Sequence, residues 1–263
     1  MLVDNKFIYL SLPRCASTAF YYTCILNDIN VEHTTKVWSN NNSKVDFKSI
    51  DEFDIMNHIQ HGHETIIDLQ KKFGVEYPTI AVKRQRHERF YSLYKHTLFD
   101  FKRIGLNNFY DVFSKLPLNE LFFFTKDDVL TQKRRWNVIS NKLFELNLID
   151  KKIEVSDKSA LKTFRDGYWE SNINEYAINI LDILITPLSF WTNNNNNIIW
   201  FEFNDFSKMN EWVSDKLNKS FTLQSVNSSK HIDCNINLDS NFIKKYDSIY
   251  DYYDLPKSIK TLI

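Results

Sequence analysis

The chain of 263 residues sets 33 Lys and Arg against 33 Asp and Glu, for zero formal charge, and is 43% hydrophobic and 15% aromatic. A chain this apolar can bury a full core, which argues against disorder, and its neutral balance gives no bulk attraction to nucleic acid or to a membrane surface. Three cysteines, Cys15, Cys24 and Cys234, show no C-x-x-C spacing, so neither a zinc site nor a disulfide framework is indicated and a reducing compartment fits.

The apolar run Phe7–Ser11 reads as a strand. It opens into Ser11-Leu12-Pro13-Arg14-Cys15-Ala16-Ser17-Thr18-Ala19-Phe20, a tight turn leading into a helix over Ser17–Asn27. A helix N-terminus carries unpaired N–H groups and part of a positive charge. An oxyanion seated there meets backbone, the Ser17 and Thr18 hydroxyls and the Arg14 cation together. The other reading of this segment is a surface turn capped by Ser17. There is no Gly-x-x-x-x-Gly-Lys and no glycine before Gly62, which excludes a Walker loop. Few residues precede the first strand, so no signal peptide or N-terminal anchor is expected. The longest apolar stretch, Tyr176 to Trp191, contains Asp182 and Pro187 and falls short of a membrane span. A soluble, cytoplasmic protein is the expectation.

A second strand is predicted at Val31–Thr35, and the run Asn40–Asn42 reads as a loop. His58-Ile59-Gln60-His61-Gly62-His63-Glu64 then gathers three of the seven histidines. Histidine titrates near neutral pH and suits a general base. The cluster also admits a zinc site, though without His-Glu-x-x-His spacing or a nearby cysteine, and a solvated polar loop. A helix over Glu64–Lys72 precedes a strand at Thr79–Lys83, which ends in Lys83-Arg84-Gln85-Arg86 and enters a helix over His87–Lys102. Arg89, Ser92 and Lys95 fall at helical spacing there. Cations at a helix N-terminus oppose the dipole, and a bound anion would relieve them. The alternative is a surface helix whose arginines pair with Glu88 and others.

From Phe109 to Phe190 the pattern is mostly helical and adds little to a sheet. Lys133-Arg134-Arg135 reads as a solvated helix face. Phe122-Phe123-Phe124, Tyr168 and Trp169 read as core or as rings that stack on a sugar. After the Asn193–Asn197 loop comes a strand at Ile198–Phe203 with Glu202 near its end. Asn204 is the expected N-cap of a helix over Asn204–Leu217. Val226-Asn227-Ser228-Ser229-Lys230-His231 is a polar loop with hydroxyls and a cation suited to closing over a nucleotide, and the last helix is predicted at Asp239–Tyr252. Strands alternating with long helices predict a single α/β domain of three layers, a central parallel sheet flanked by helices, with ligands outside the carboxyl ends of the strands.

In order and spacing these segments resemble the sulfotransferases that use 3'-phosphoadenosine 5'-phosphosulfate (PAPS), and most nearly the heparan sulfate and uronyl 2-O-sulfotransferases. Pro13 through Phe20 is similar to that family's 5'-phosphosulfate loop, including its Ala-Ser-Thr-x-Phe ending. His33-Thr34-Thr35-Lys36 is similar to the segment after its first helix, and His61-Gly62-His63 to its His-Gly-His. Arg84 through Ser92 resembles its 3'-phosphate motif. Beyond the first hundred residues, Thr186 through Trp191 and Asn227-Ser228 match only the wider carbohydrate sulfotransferase pattern. Arg14 stands where the 2-O enzymes usually carry Lys, and Gln85-Arg86 where they carry Asp-Pro; no counterpart of the family's membrane anchor is expected.

The resemblance implies a P-loop-like sulfotransferase fold over residues 1–263, with acceptor recognition in the helical stretch of about 109–190. It implies PAPS as donor, a hydroxyl-bearing acceptor such as a glycan, and no metal, nucleic-acid or membrane partner. His63 is then the catalytic base, aided by Arg14 and His61. Arg14, Cys15, Ala16, Ser17, Thr18 and Ala19 hold the 5'-phosphosulfate, Arg84 and Ser92 the 3'-phosphate, and Ser228 and Lys230 close over the nucleotide. Two rival readings are a nucleotide or nucleoside kinase, which would need a Walker lysine and a magnesium-binding Asp, and a non-catalytic module that binds nucleotides or sulfated sugars.

Overall fold

The computed structural model describes residues 1–32, 63–117, 120, 124–153, 173–195, 197–224 and 240–250. In chain order the elements are β1 (Leu2–Val3), β2 (Phe7–Tyr9), α1 (Ser17–Leu26), β3 (Val31–Glu32), α2 (Ile66–Phe73), β4 (Thr79–Lys83) and α3 (Arg86–Arg103). These are followed by α4 (Asn107–Phe113), α5 (Gln132–Glu145), α6 (Ile173–Ile185), α7 (Leu188–Thr192), β5 (Ile198–Glu202), α8 (Ser207–Leu217) and α9 (Ser240–Tyr250). The protein is α/β, and it divides into two compact units. One is drawn from residues 1–85 and 189–230, the other from 86–188 and 231–255.

The first unit carries a five-stranded sheet in the order β3-β1-β2-β4-β5. The pairs β2/β4 and β4/β5 are parallel, whereas β1 runs antiparallel to both β2 and β3. The sheet is therefore mixed, with β1 alone opposing four strands that share a direction, where the sequence predicts a wholly parallel sheet. The cause is local. Asp4 and Asn5 both have positive φ (47° and 53°), and Lys6 N–H bonds the Val3 carbonyl at 2.9 Å, the tight turn that suits a hairpin. Leu2–Val3 thereby folds back onto Phe7–Ile8.

The sheet's core follows from its composition. Phe7, Ile8 and Tyr9 of β2 and Ile80, Ala81 and Val82 of β4 are fully buried, the continuous apolar run expected of strands covered on both faces. Edge strand β5 is instead only partly covered, with Ile198 and Phe201 buried and Ile199 and Glu202 exposed. Two helices start later than predicted. α2 begins at Ile66 because the Thr65 side chain caps it, accepting the Asp68 N–H at 3.2 Å. α8 begins at Ser207, whose N–H bonds Asp205 Oδ1 at 3.0 Å; these Ser207 bonds also hold the Asp205 carboxyl below its usual range. The N-cap position assigned to Asn204 is taken by Phe206, whose side chain cannot cap, and the Asp205 carboxylate bonds the first helical amide from one residue earlier.

The second unit is helical in its described residues. α6 packs on both α3 and α5 around one apolar cluster that includes Phe90, Phe101, Trp136, Ile139, Leu181 and Tyr246. Phe124 lies in this cluster, so of the aromatic residues considered for a sugar surface this one is core. Lys133 and Arg134 are exposed as expected, but Arg135 is not. On the same face as Trp136 and Ile139, its guanidinium is buried against Asp182 at 2.6 and 3.3 Å and donates to the Val129 carbonyl at 3.1 Å. The acidic residue that interrupts the apolar stretch of α6 is therefore the partner of an arginine on α5. Among the described residues no helix is long and apolar enough to cross a membrane.

Candidate active site

The loop between β2 and α1 holds two unusual backbone conformations. Nine non-glycine described residues have positive φ, and seven are Asn or Asp, which tolerate that region. The other two are Arg14 (φ 61°) and Ala16 (φ 63°). Residues with a full Cβ in left-handed conformation are held there only when their surroundings demand it, and such strain concentrates at functional sites.

Here the surroundings are visible. Tyr9 at the end of β2 donates its hydroxyl to the Cys15 carbonyl at 3.1 Å, and its ring stacks on Phe20 of α1 at 3.9 Å. Burial pushes the Tyr9 hydroxyl well above its usual pKa, so it stays a donor. Cys15 N–H returns to the Leu12 carbonyl at 3.2 Å, closing the turn. Ala16 is the N-cap of α1, and no side chain caps the helix. The first helical bond runs from Phe20 N–H to the Ala16 carbonyl, so the amides of Ser17, Thr18 and Ala19 precede the ladder. Ser17 is buried, and Thr18 is half-buried beside it. The alternative of a turn capped by Ser17 does not describe this helix start.

His63 is brought to the same loop from 52 residues away. Its Nδ1 lies 2.9 Å from the carbonyl oxygen of Ser11, three residues before Arg14. A carbonyl can only accept, so Nδ1 carries the proton in this contact, and in the neutral form of the ring the lone pair is on Nε2. The ring meets Trp191 edge-on at 6.0 Å, which fixes its plane from a second side. Its neighbour Glu64 is buried and faces the amino group of Met1 at 3.8 Å, which also donates to the Tyr9 carbonyl at 2.9 Å. Sequence reasoning found His63 and missed what holds it. The Ser11 carbonyl is invisible to any residue-type pattern, whereas Trp191 sits in the Thr186–Trp191 run already singled out. The Ser11 hydroxyl is itself buried with no hydrogen-bond partner among the described residues.

Arg84 immediately follows β4, the parallel neighbour of β2. From β2 the chain passes through α1 to β3 on one side of the sheet, then returns to β4 on the other. The carboxyl ends of β2 and β4 therefore flank the point where strand order reverses, the usual ligand crevice of an open α/β sheet. The guanidinium of Arg84 lies over the Phe203 ring at 4.3 Å. Lys83, one residue earlier, is ion-paired with Glu202 at 2.8 Å, so the strand-ending Glu202 balances a cation.

Ser92 lies in the second unit, buried on α3. The other cations at the start of that helix have protein partners. Arg86 and His87 share Asp247 Oδ1 of α9 at 2.8 and 3.0 Å, and buried Arg89 reaches the Thr186 carbonyl at 3.4 Å. These pairings match the alternative of arginines with protein partners, with Arg86 held by Asp247 of α9 and Arg89 by the Thr186 carbonyl. His61, Ser228 and Lys230 lie outside the described residues, as do His33, Phe122, Phe123, Tyr168 and Trp169. Among the described residues no three His, Cys, Asp or Glu side chains gather to hold a metal ion.

No family model, curated protein or solved structure matches the chain. The functional reading therefore rests on the residues and their geometry.

Proposed function

We propose that the protein is a sulfotransferase that moves a sulfuryl group from PAPS to a hydroxyl, of a carbohydrate by the motif resemblance. The observation that carries this reading is His63 tethered through Nδ1 to the Ser11 carbonyl, at the mouth of a strained, side-chain-uncapped loop leading into α1. In this reading the base, held from 52 residues away, serves the loop that forms the oxyanion cradle.

In this reading the acceptor hydroxyl gives its proton to His63 Nε2 as its oxygen attacks sulfur. The new S–O bond forms as the bond from sulfur to the 5'-phosphate oxygen breaks in line, and that oxygen leaves with the electron pair. Arg14 and the amides of Ser17 to Ala19 stabilise the charge that gathers on the departing phosphate. Arg84, at the end of the neighbouring strand, takes the 3'-phosphate. The Tyr9 clamp keeps the loop in its left-handed conformation, so the donors are oriented before the anion arrives.

The test separates base from cradle. His63→Ala lowers turnover of PAPS with a responsive hydroxyl acceptor by about 10²–10⁴-fold, while the affinity for adenosine 3',5'-bisphosphate stays within a factor of about two. Full turnover in that variant would remove His63 from the chemistry. Nucleotide binding that depends on magnesium would favour a kinase instead.

A further inference from the structure

Ser11 stands one residue past the last bond that joins β2 to β4, from Leu10 N–H to the Ile80 carbonyl at 2.9 Å. Side chains alternate along a strand, so Phe7, Tyr9 and Ser11 share a face. That face is turned to α1. The Phe7 and Tyr9 rings both meet Phe20, at 6.4 and 3.9 Å, and the Tyr9 hydroxyl reaches the Cys15 carbonyl within the loop. The Ser11 side chain therefore lies under the loop that leads into α1. It is 3% exposed, and its hydroxyl has no hydrogen-bond partner among the described residues.

A buried hydroxyl without a partner lowers stability, and alanine would fill the same place without that cost. Two separate features of one loop, the hydroxyl and the start of α1, where the amides of Ser17 to Ala19 precede the helical ladder, thus suit the same occupant, an anion. We propose that Ser11 is a further anion-binding residue of this loop, its hydroxyl donating to the 5'-phosphate seated before α1. This rests on the donor reading given above. Serine has a single side-chain torsion, so one rotation about χ1 turns the hydroxyl toward the anion. Burial keeps water from it, which strengthens the bond once it is made. The carbonyl of the same residue holds His63 at 2.9 Å. Ser11 thereby ties the place of the base to the place of the departing phosphate.

The readout is calorimetric affinity on the full chain for two ligands, adenosine 3',5'-bisphosphate and adenosine 3'-monophosphate, which has no 5'-phosphate to place in the loop. Ser11→Ala keeps the carbonyl that holds His63 and removes only the hydroxyl. It is expected to weaken the bisphosphate about 10- to 100-fold, the range of a hydrogen bond to a charged group, and to leave the 3'-monophosphate within a factor of about two. Its Tm without ligand should not fall, because the group removed has no partner to lose. Ser11→Cys, close in size and a weak donor, should give a bisphosphate affinity between the two, and it carries the test if the alanine variant does not fold. Wild-type affinity for the bisphosphate in either variant, or an equal loss for both ligands together with a lower Tm, overturns the assignment of Ser11 and leaves the donor reading standing. No binding of the bisphosphate to the wild-type chain overturns the donor reading, and this assignment with it.

Discussion

Arg14 and Ala16 hold a backbone conformation that disfavours any side chain with a Cβ, by about 1–2 kcal/mol for each residue. Ala16→Gly removes that penalty and gives back part of it as greater freedom of the unfolded chain. The expected net is a stabilisation of about 0.5–1 kcal/mol, read as a rise of roughly 1–3 °C in Tm. A lower Tm would show that the left-handed turn at Ala16 is not strained. Cys24, buried on α1, gives a prediction of different kind. Burial pushes its thiol up to about 12 from the ordinary 9.0, because the thiolate would lose its hydration. Between those values the folded chain binds more protons than the unfolded one, so stability falls as pH rises above 9. The loss reaches about 1 kcal/mol near pH 10. Denaturant titrations at pH 8 and pH 10 should show it, and Cys24→Ala should flatten the difference whatever its effect at pH 8.

At the scale of elements, the clamp on the loop before α1 is the contact most open to test. Tyr9→Phe keeps the stack on Phe20 and leaves the Cys15 carbonyl without its donor. It should destabilise by about 1–2 kcal/mol and weaken adenosine 3',5'-bisphosphate binding several-fold. Lost stability with unchanged binding would detach the clamp from the site. The elements themselves were largely legible. The apolar runs at Phe7, Thr79 and Ile198 are strands, and the helix starting at Ser17 ends within one residue of its expected end. β1 was not legible as a run of two residues, although the Asp4-Asn5 turn that creates it carries a hairpin signal. Arg135 was misread because charge composition does not record which face of a helix a residue occupies; its partner Asp182 is 47 residues away. The same distance problem hid Asp247 from Arg86 and the Ser11 carbonyl from His63.

At the scale of the whole molecule, a chain of zero net charge must meet a polyanion through a few local groups, not through its overall field. The first unit gathers such groups at one edge of its sheet: the loop after β2 with Arg14, and Arg84 after β4, on either side of the reversal in strand order. Adjacent parallel strands place their following loops side by side, which is why these two loops share an end of the sheet. The central claim is that this edge is a donor site for a nucleotide with phosphates at both the 3' and 5' positions. The direct measurement is calorimetric binding of adenosine 3',5'-bisphosphate, 5'-AMP and ATP, with and without magnesium, to the wild-type chain and to Arg84→Ala. The account predicts magnesium-independent binding that favours the 3',5'-bisphosphate and loses that preference in Arg84→Ala. A preference for ATP with magnesium, or no binding of the bisphosphate, would contradict it.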